Sequence, residues 1–309
     1  MVEQTTPRLE LDADGLAHVI FDDPGRSHNV LSRRVMEELS GLLDEVAREG
    51  SNGSVRAVLF RSGKSAGFIA GADIEEFAQV RTAQDAETAA RYGQTTFQKI
   101  ALLPIPTVAA IHGVCLGGGT ELSLACDHRV ASDHDSTRIG LPEVQLGILP
   151  AWGGTTRLPR RVGLQAALDL ILTGRPASAR KALRIGLVDQ VLPHQQFTER
   201  ASEFALQAVG RAESGGRPSG GVFARLLDGT GPGRALVLRM ARKRVMAETK
   251  GQYPAPLKIL QVIGAGYGRS VEESLDLEAK ALGSLLTGSV SRNLQHLFHL
   301  RERARKGPW

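Results

Sequence analysis

Apolar and polar residues alternate over residues 9–22, LELDADGLAHVIFD, around Asp14-Gly15, which predicts a β-hairpin. The period then lengthens. After Ser32, a cap residue, Met36, Leu39, Leu42 and Leu43 fall on one face of a helix over residues 33–48. VRAVLFR at 55–61 reads as a strand with a basic end, and small residues at 62–71 follow as a loop. Residues 85–103 predict a second helix, with Asp85 as its cap and Pro104 and Pro106 ending it. TVAAIH at 107–112 is a buried strand, Gly117-Gly118-Gly119 opens a helix over 120–125, and 128–131 is another strand. Short helical patterns at 152–160, 164–172 and 177–184 precede a strand at 187–191. Strands alternating with helices at this spacing imply an α/β fold with its site at loops off the strand ends.

The pattern changes near residue 210. Gly and Ser crowd residues 213–233, which predicts a loop or linker, and the remainder reads as helices at 235–250, 255–263, 271–286 and 292–306. Leu257, Leu260, Ile263, Leu294, Leu297 and Leu300 recur there at the spacing of a core-packing face. The expected division is an α/β core over 1–210, a Gly/Ser-rich loop over 211–233 and a helical extension over 234–309.

Composition narrows the class without naming a function. The 309 residues are 42% hydrophobic and 23% charged, which excludes disordered, collagen-like and membrane proteins. No apolar run approaches the roughly 18 residues of a membrane span. The first residues carry no leader pattern, and Cys115 and Cys126 lack metal-ligand spacing, so reduced thiols and a cytoplasmic location are expected. The net charge is +5, and 30 of the 38 basic residues are Arg, a weak preference for an anionic ligand. Arg239, Arg242, Lys243 and Arg244 have no aromatic residues among them, so a solvated helix face is expected rather than a nucleic-acid surface.

Three motifs fail on inspection. Ser62-Gly63-Lys64-Ser65 resembles the end of a P-loop, but Val58 stands where its first Gly belongs. Gly264-Ala265-Gly266-Tyr267-Gly268 resembles a dinucleotide fingerprint, but Arg269 takes the place of the last Gly and the preceding segment reads as helix. No nicotinamide site, and no other cofactor or metal, is therefore expected. Ser123 lies near Asp127 and His128, but without a G-x-S-x-G elbow these do not make a hydrolase triad, and His128 reads as a strand residue beside a helix end.

Two carboxylates sit where carboxylates are scarce. Glu121 lies between the Gly-rich turn and Leu122-Ser123-Leu124-Ala125, and Glu143 lies in Gly140-Leu141-Pro142-Glu143-Val144. Either alone reads equally well as a first-turn acid favoured by a helix dipole, the second after a Pro at the first helical position. Buried and unpaired, each would rise in pKa, which is how acid–base pairs are tuned. Gly117–Gly119 offers backbone N–H donors at a helix start, and Ala70-Gly71-Ala72-Asp73 could supply a second donor. Two donors with two carboxylates suit a carbonyl compound reacting through an enolate.

In sequence order, Phe68-Ile69-Ala70-Gly71-Ala72-Asp73-Ile74, Gly117-Gly118-Gly119-Thr120-Glu121, Gly140-Leu141-Pro142-Glu143 and Gly153-Gly154-Thr155-Thr156-Arg157-Leu158-Pro159 resemble the crotonase (enoyl-CoA hydratase/isomerase) superfamily. The resemblance runs from about residue 9 to residue 200. Lys250-Gly251-Gln252-Tyr253-Pro254-Ala255-Pro256-Leu257-Lys258 and Ser291-Arg292-Asn293-Leu294 resemble the end of the hydratase half of multifunctional fatty-acid oxidation α-subunits, in which a dehydrogenase follows. The resemblance implies a ββα-superhelix core with the helical tail folded back over it, and a coenzyme A thioester as substrate. It implies that the N–H groups of Ala72 and Gly118 hold the thioester oxygen. Glu121 would activate water for C3, Glu143 would exchange the proton at C2, and residues 146–152 would line the acyl pocket. Ala70, Gly71, Gly117, Pro142, Ala151 and Trp152 are the accompanying substrate-binding positions.

Two departures stand out. Residues 131–137 lengthen the segment between the two glutamates and read as an exposed loop. Ala151 replaces a usual Gly whose N–H helps hold the water, a change that would be strained if φ were positive there. The resemblance thus implies a lyase of β-oxidation, an enoyl-CoA hydratase acting on trans-2-enoyl-CoA. Alternatives are a Δ3-Δ2-enoyl-CoA isomerase, or a non-catalytic acyl-CoA-binding or thiolase-docking module. The expected partners are the acyl-CoA and either further copies of the chain or a β-oxidation complex with dehydrogenase and thiolase.

Overall fold

The computed structural model describes residues 6–210, 227–305 and Gly307. The predicted hairpin forms from β1 (Arg8–Leu11) and β2 (Leu16–Phe21), antiparallel. Asp12 closes it, its Oδ1 accepting from Asp14 N at 3.0 Å and Leu16 N at 2.9 Å, while Gly15 takes the left-handed φ of +80°. Helix α1 (Arg33–Ser51) starts where Ser32 accepts from Val35 N, and buries Val35, Met36, Leu39, Leu43 and Val46. Next come β3 (Ala57–Ser62), β4 (Gly67–Ile69), a 3-10 turn (Ile74–Gln79) and α2 (Ala83–Ala101). Asp85 is not the cap of α2. Thr82 is, and Asp85 serves at the third position of a reciprocal capping box, Asp85 N to Thr82 Oγ1 at 3.1 Å and Thr82 N to Asp85 Oδ2 at 2.8 Å.

The chain continues through β5 (Thr107–Ile111), β6 (Val114–Leu116), α3 (Gly118–Ala125), β7 (His128–Ser132), β8 (Arg138–Gly140) and a 3-10 turn (Glu143–Leu146). Then follow α4 (Gly154–Val162), α5 (Leu164–Thr173), β9 (Ala177–Ser178), α6 (Ala179–Arg184), β10 (Gln190–Leu192) and α7 (Phe197–Ala208). The strands sort into two sheets, one of six in the order β1-β2-β3-β5-β7-β10 and one of four in the order β4-β6-β8-β9. Each of the pairs β3–β4, β5–β6 and β7–β8 gives its first strand to the larger sheet and its second to the smaller before the chain turns into helix. That repeat is the ββα superhelix of the crotonase fold. All neighbours are parallel except β1–β2 and β8–β9. The larger sheet is apolar on both faces. Ala17, Val19, Val58, Phe60, Ala109 and Ile111 face the main core, while Leu16, Leu59, Val108, Ala110 and Val130 face Ala201 and Ala205 of α7.

Of the predicted linker, residues 211–226 lie outside those described, and its end is helical, because α8 runs from Gly231 to Thr249. Helices α9 (Pro254–Gly266), α10 (Val271–Leu286) and α11 (Ser289–Arg305) complete the tail. Gly264 and Gly266 belong to the last turns of α9 rather than to a strand-to-helix turn. Arg239, Arg242, Lys243 and Arg244 are exposed on α8. Helix α10 lies against α2 so closely that a Cβ on Gly283 would come within 2.7 Å of Ala83 O, and Arg91 meets Asp276 at 2.6 Å. Leu260, Ile263, Leu282, Leu285 and Leu286 are buried in the same core as the sheets. The apolar stripe of α11 fails the core expectation. Leu297 is 49% exposed and Leu300 46%, because α11 reaches the core only through its first turns, where Ser291 and Leu294 crowd Gly147.

In the segment 131–137, Ala131 and Ser132 belong to β7 and Thr137 is buried, so only residues 133–136 are exposed. Both cysteines are buried and free, and burial pushes the Cys115 thiol up to about 12. Among the described residues no helix is long and apolar enough to cross a membrane. Cutting the chain after residue 250 would uncover the faces of α2 and α4 that α9 and α10 bury. We expect insoluble protein, or soluble protein with strong dye binding to exposed apolar surface, measured by fractionation and ANS fluorescence. A soluble, cooperatively melting truncation would show the tail to be dispensable.

Candidate active site

Three strands of the smaller sheet end side by side, and the chemistry hangs from their carboxyl ends. Strand β4 runs into Ala70-Gly71-Ala72, β6 into Gly117 and α3, and β8 into Leu141-Pro142-Glu143. The ends are tied together. Gly117 N donates to Gly140 O at 2.9 Å, and Thr120 Oγ1 lies 2.9 Å from both Cys115 O and Gly140 O. The β4 end is held by Asn29. Its Nδ2 reaches Phe21 O, Ser62 Oγ and Phe68 O, and its carbonyl accepts from Ala70 N at 2.9 Å.

Ala72 pairs with Leu31 in an isolated parallel bridge made by Leu31 N to Gly71 O at 2.8 Å and Asp73 N to Leu31 O at 3.2 Å. The Ala72 N–H is left out of that bridge. Gly118 is the first residue of α3, where N–H groups have no partner within the helix. The two segments are in contact. Gly71 Cα lies 3.7 Å from where a Gly117 Cβ would stand, and Gly71 and Gly117 have φ of +127° and +52°. Trp152 covers Gly118. A Cβ there would approach its ring to 2.7 Å, and one on Gly93 of α2 to 2.4 Å, so both glycines make room for the indole.

Glu121, in the first turn of α3, is buried. Its Oε1 accepts from Trp152 N at 2.7 Å and Gly154 N at 2.8 Å. Glu143 opens the 3-10 turn after Pro142. Its Oε1 lies 3.0 Å from the position of a Gly117 Cβ, and its Oε2 is sealed from solvent with no hydrogen-bond partner. Burial, then the charges of Glu143 and Glu278, raise the Glu121 carboxyl well above its usual range, while the N–H groups of Gly154 and Trp152 pull it back. Burial pushes Glu143 up to about 8, with Glu278 adding to the rise. The two carboxyls therefore differ in kind. Two N–H donors on Glu121 work against its rise, whereas Glu143 Oε2 has no donor to do so.

The predicted site residues thus converge. Gly71, Gly117, Gly118, Glu121 and Ala151 are buried, while Ala70, Ala72, Pro142 and Trp152 are partly open. Ala151 has no positive φ, so the strain considered for it does not arise, and its carbonyl accepts from Gln94 at 2.8 Å. Gln94, which braces the turn before α4, and Glu278 were given no role by the sequence, and Arg157, seen there only as part of a motif, has its Nη2 held by Gln98 Oε1 at 2.8 Å. Glu278 is wholly buried on α10, accepting from Gly153 N at 2.9 Å and Thr155 Oγ1 at 2.6 Å. A signal for it existed, since position 278 lies on the apolar face set by Leu275, Ala279 and Leu282.

Residues 12–214 match the enoyl-CoA hydratase/isomerase family. The chain is 42% identical over 305 residues, 96% of its length, to the fatty acid oxidation complex subunit alpha of Vibrio vulnificus. The chain belongs to the enoyl-CoA hydratase/isomerase family. It spans 41% of the length of that relative, and 41% of the Vibrio parahaemolyticus subunit, to which it is 40% identical. An enoyl-CoA hydratase structure from Bacillus anthracis is 29% identical, with a TM-score of 0.59 over 96% of each chain. One from Geobacillus kaustophilus is 26% identical, with a TM-score of 0.60 over 87% of this chain and 91% of that one.

The raised Glu143 has a consequence for stability that needs no substrate. An unfolded glutamate ionises near its ordinary 4.5, whereas Glu143 in the folded family member keeps its proton to about 8. Between those values the unfolded chain binds fewer protons, so this group lowers stability as pH rises from 4.5 to 8. Glu143→Gln removes the titration. Its Tm relative to wild type should rise by about 5 °C between pH 5 and pH 8, a shift of a few kcal/mol for a chain of this size. A Tm difference that is constant with pH, measured by differential scanning calorimetry, would contradict the assignment.

Proposed function

We propose that this chain is an enoyl-CoA hydratase that adds water reversibly to a trans-2-enoyl-CoA to give a 3-hydroxyacyl-CoA. The observation that carries the reading is the unlike pair of glutamates: Glu121 held through Oε1 by two N–H donors, Glu143 with a sealed and partnerless Oε2. In this reading the thioester oxygen lies between Ala72 N–H and Gly118 N–H. Conjugation carries negative charge onto that oxygen as water adds at C3, so fixed donors stabilise the transition state more than the substrate. The anion of Glu121 takes a proton from the water, and the acid of Glu143 delivers one to C2. Residues 146–152 and the face of Trp152 bound the acyl group. The reaction needs no redox step, so no nicotinamide or other cofactor is part of it.

The relatives carry the name of a fatty acid oxidation complex subunit. We therefore include in the proposal a role in β-oxidation, beside dehydrogenase and thiolase activities. Isomerisation of 3-enoyl-CoA is a second reaction of the same site, favoured by the isolation of Glu143, which suits a group that carries one proton between C2 and C4.

Hydration is followed as loss of the conjugated thioester absorbance of crotonyl-CoA. Glu121→Gln and Glu143→Gln should each lower kcat by about 10²–10⁴-fold, the range of a general acid or base, and the double variant should be little worse than either. Isomerase activity should survive better in Glu121→Gln than in Glu143→Gln. Tight binding of the thioester with no absorbance change in wild type would instead identify a binding module.

The oxyanion donors have their own test. Ala72→Pro removes one N–H, and such a donor is worth about 10²–10³ in rate. With circular dichroism and Tm near wild type, kcat should fall by at least that factor. A folded variant hydrating at the wild-type rate would remove Ala72 from the site.

A further inference from the structure

A third carboxylate stands behind the proposed pair, on a helix from the far end of the chain. Glu278 is 0% exposed at the centre of α10. One oxygen accepts from Gly153 N at 2.9 Å and the other from Thr155 Oγ1 at 2.6 Å. Its partners interleave with those of Glu121, which takes the N–H groups of Trp152 and Gly154. Successive backbone donors at 152, 153 and 154 thus point to Glu121, Glu278 and Glu121 in turn. The turn has little freedom left. Gln94 Nε2 spans from Ala151 O to Leu275 O, joining it to α10 a second time, at 2.8 and 2.9 Å. Gly153 takes φ of +118°, and a Cβ on Gly154 would come within 2.5 Å of Pro150 Cβ and 3.0 Å of Glu121 Oε1.

We propose that Glu278 is a positioning residue for the active site, clamping the Trp152–Thr155 turn so that two N–H groups hold the Glu121 carboxylate in its working orientation. The inference rests on the hydratase reading of the Glu121–Glu143 pair. A carboxylate buried for packing alone has no reason to take donors from the same turn that holds Glu121, since a leucine would fill the apolar face of α10 without the cost of desolvating a charge. Charged groups face Glu278 from the core side as well. Arg157 and Arg160 of α4 are acted on by its charge, as are Glu121 and Glu143. Gln94 and Gln98 of α2 bring no charge, and Gln98 Oε1 holds Arg157 Nη2 at 2.8 Å.

The test uses the full chain and two substitutions. Glu278→Leu keeps the volume and removes both acceptors. Glu278→Gln can still accept from Gly153 N and donate to Thr155 Oγ1 but carries no charge. With wild-type circular dichroism, Glu278→Leu should lose about 10–100-fold in kcat, the usual range for a partner of a functional group, with KM changed by less than about threefold. Glu278→Gln should recover most of that loss. It should also move both the acidic and the alkaline limb of the kcat profile to lower pH, because a negative charge beside Glu121 and Glu143 has gone. The proposal is overturned by a folded Glu278→Leu protein with kcat within twofold of wild type. It is overturned equally by a Glu278→Gln protein as slow as Glu278→Leu with both limbs in place, since a structural defect alone would give that result. If Glu278→Leu does not fold, Thr155→Val removes one partner of the clamp and should lower kcat about 3–10-fold at unchanged KM, less than the roughly 10–100-fold of losing both partners. Unchanged kcat in that variant overturns the proposal. Should wild type fail to hydrate crotonyl-CoA, the hydratase reading falls by itself. The clamp is then read directly by carboxyl ¹³C NMR, where the Glu121 signal must titrate at lower pH in Glu278→Gln than in wild type, and an unmoved midpoint sinks it.

Discussion

Two carboxyl groups buried at the start of α4, Glu121 and Glu278, are the constraint around which this molecule is arranged. A carboxylate taken out of water costs several kcal/mol unless donors replace the lost hydration, and here both are supplied by the Trp152–Thr155 segment that leads into α4. The N–H groups of a first helical turn are unsatisfied by the helix and sit at the positive end of its dipole, so α4 is built to receive them. The glycines at 153 and 154 follow from that demand, because neither the backbone conformation nor the approach of Glu121 leaves room for a side chain. Arg157 one turn later, held by Gln98, adds a buried positive charge to the same end of the helix.

The second organising element is the short sheet. Strands β4, β6 and β8 are three residues each, too short to contribute much core, yet their register fixes where three functional segments begin. Leu116 pairs with Gly140, so Gly117 and Leu141 leave the sheet at the same level, and Glu121 and Glu143 follow close enough for the charge of one to act on the other. The tail helices then grip the outer side of the Glu143 turn. Tyr253 donates to Val144 O and Ser291 to Leu146 O, one bond from α9's approach and one from α11. The segment bearing the proposed acid is thus fastened at both ends by residues more than a hundred positions later.

What could be read from the sequence follows from what kind of signal each part leaves. Helices α1, α2 and α10 and the longer strands carry periodicity over enough residues to be seen, and the pairing of Glu121 with Gly117–Gly119 is visible because glycines and an acid are out of place in an apolar run. Strands β4 and β6 were invisible as strands. Three residues cannot show an alternation, and the small residues around them read as loop. The expectation for Leu297 and Leu300 failed because helical spacing records amphipathicity and not what, if anything, lies opposite. Glu278 was missed for the converse reason. In a helix that already carries Glu272, Glu273 and Asp276, one more acid draws no notice until the face it occupies is compared with its apolar neighbours.

The bond between Gly153 and Glu278 spans 125 residues, and this separates the making of the site from its completion. A ribosome builds from the N-terminus, so Glu121, Glu143 and the first turn of α4 all leave it well before α10 does. At synthesis rates of about 5–20 residues per second, roughly 6–25 s pass between Gly153 and Glu278. During that interval the nascent chain can form both sheets, yet the Gly153 N–H has no carboxylate to meet and α2 has no α10 to cover it. The hydrogen-bond set of the Trp152–Thr155 turn can therefore be completed only after α10 has been made.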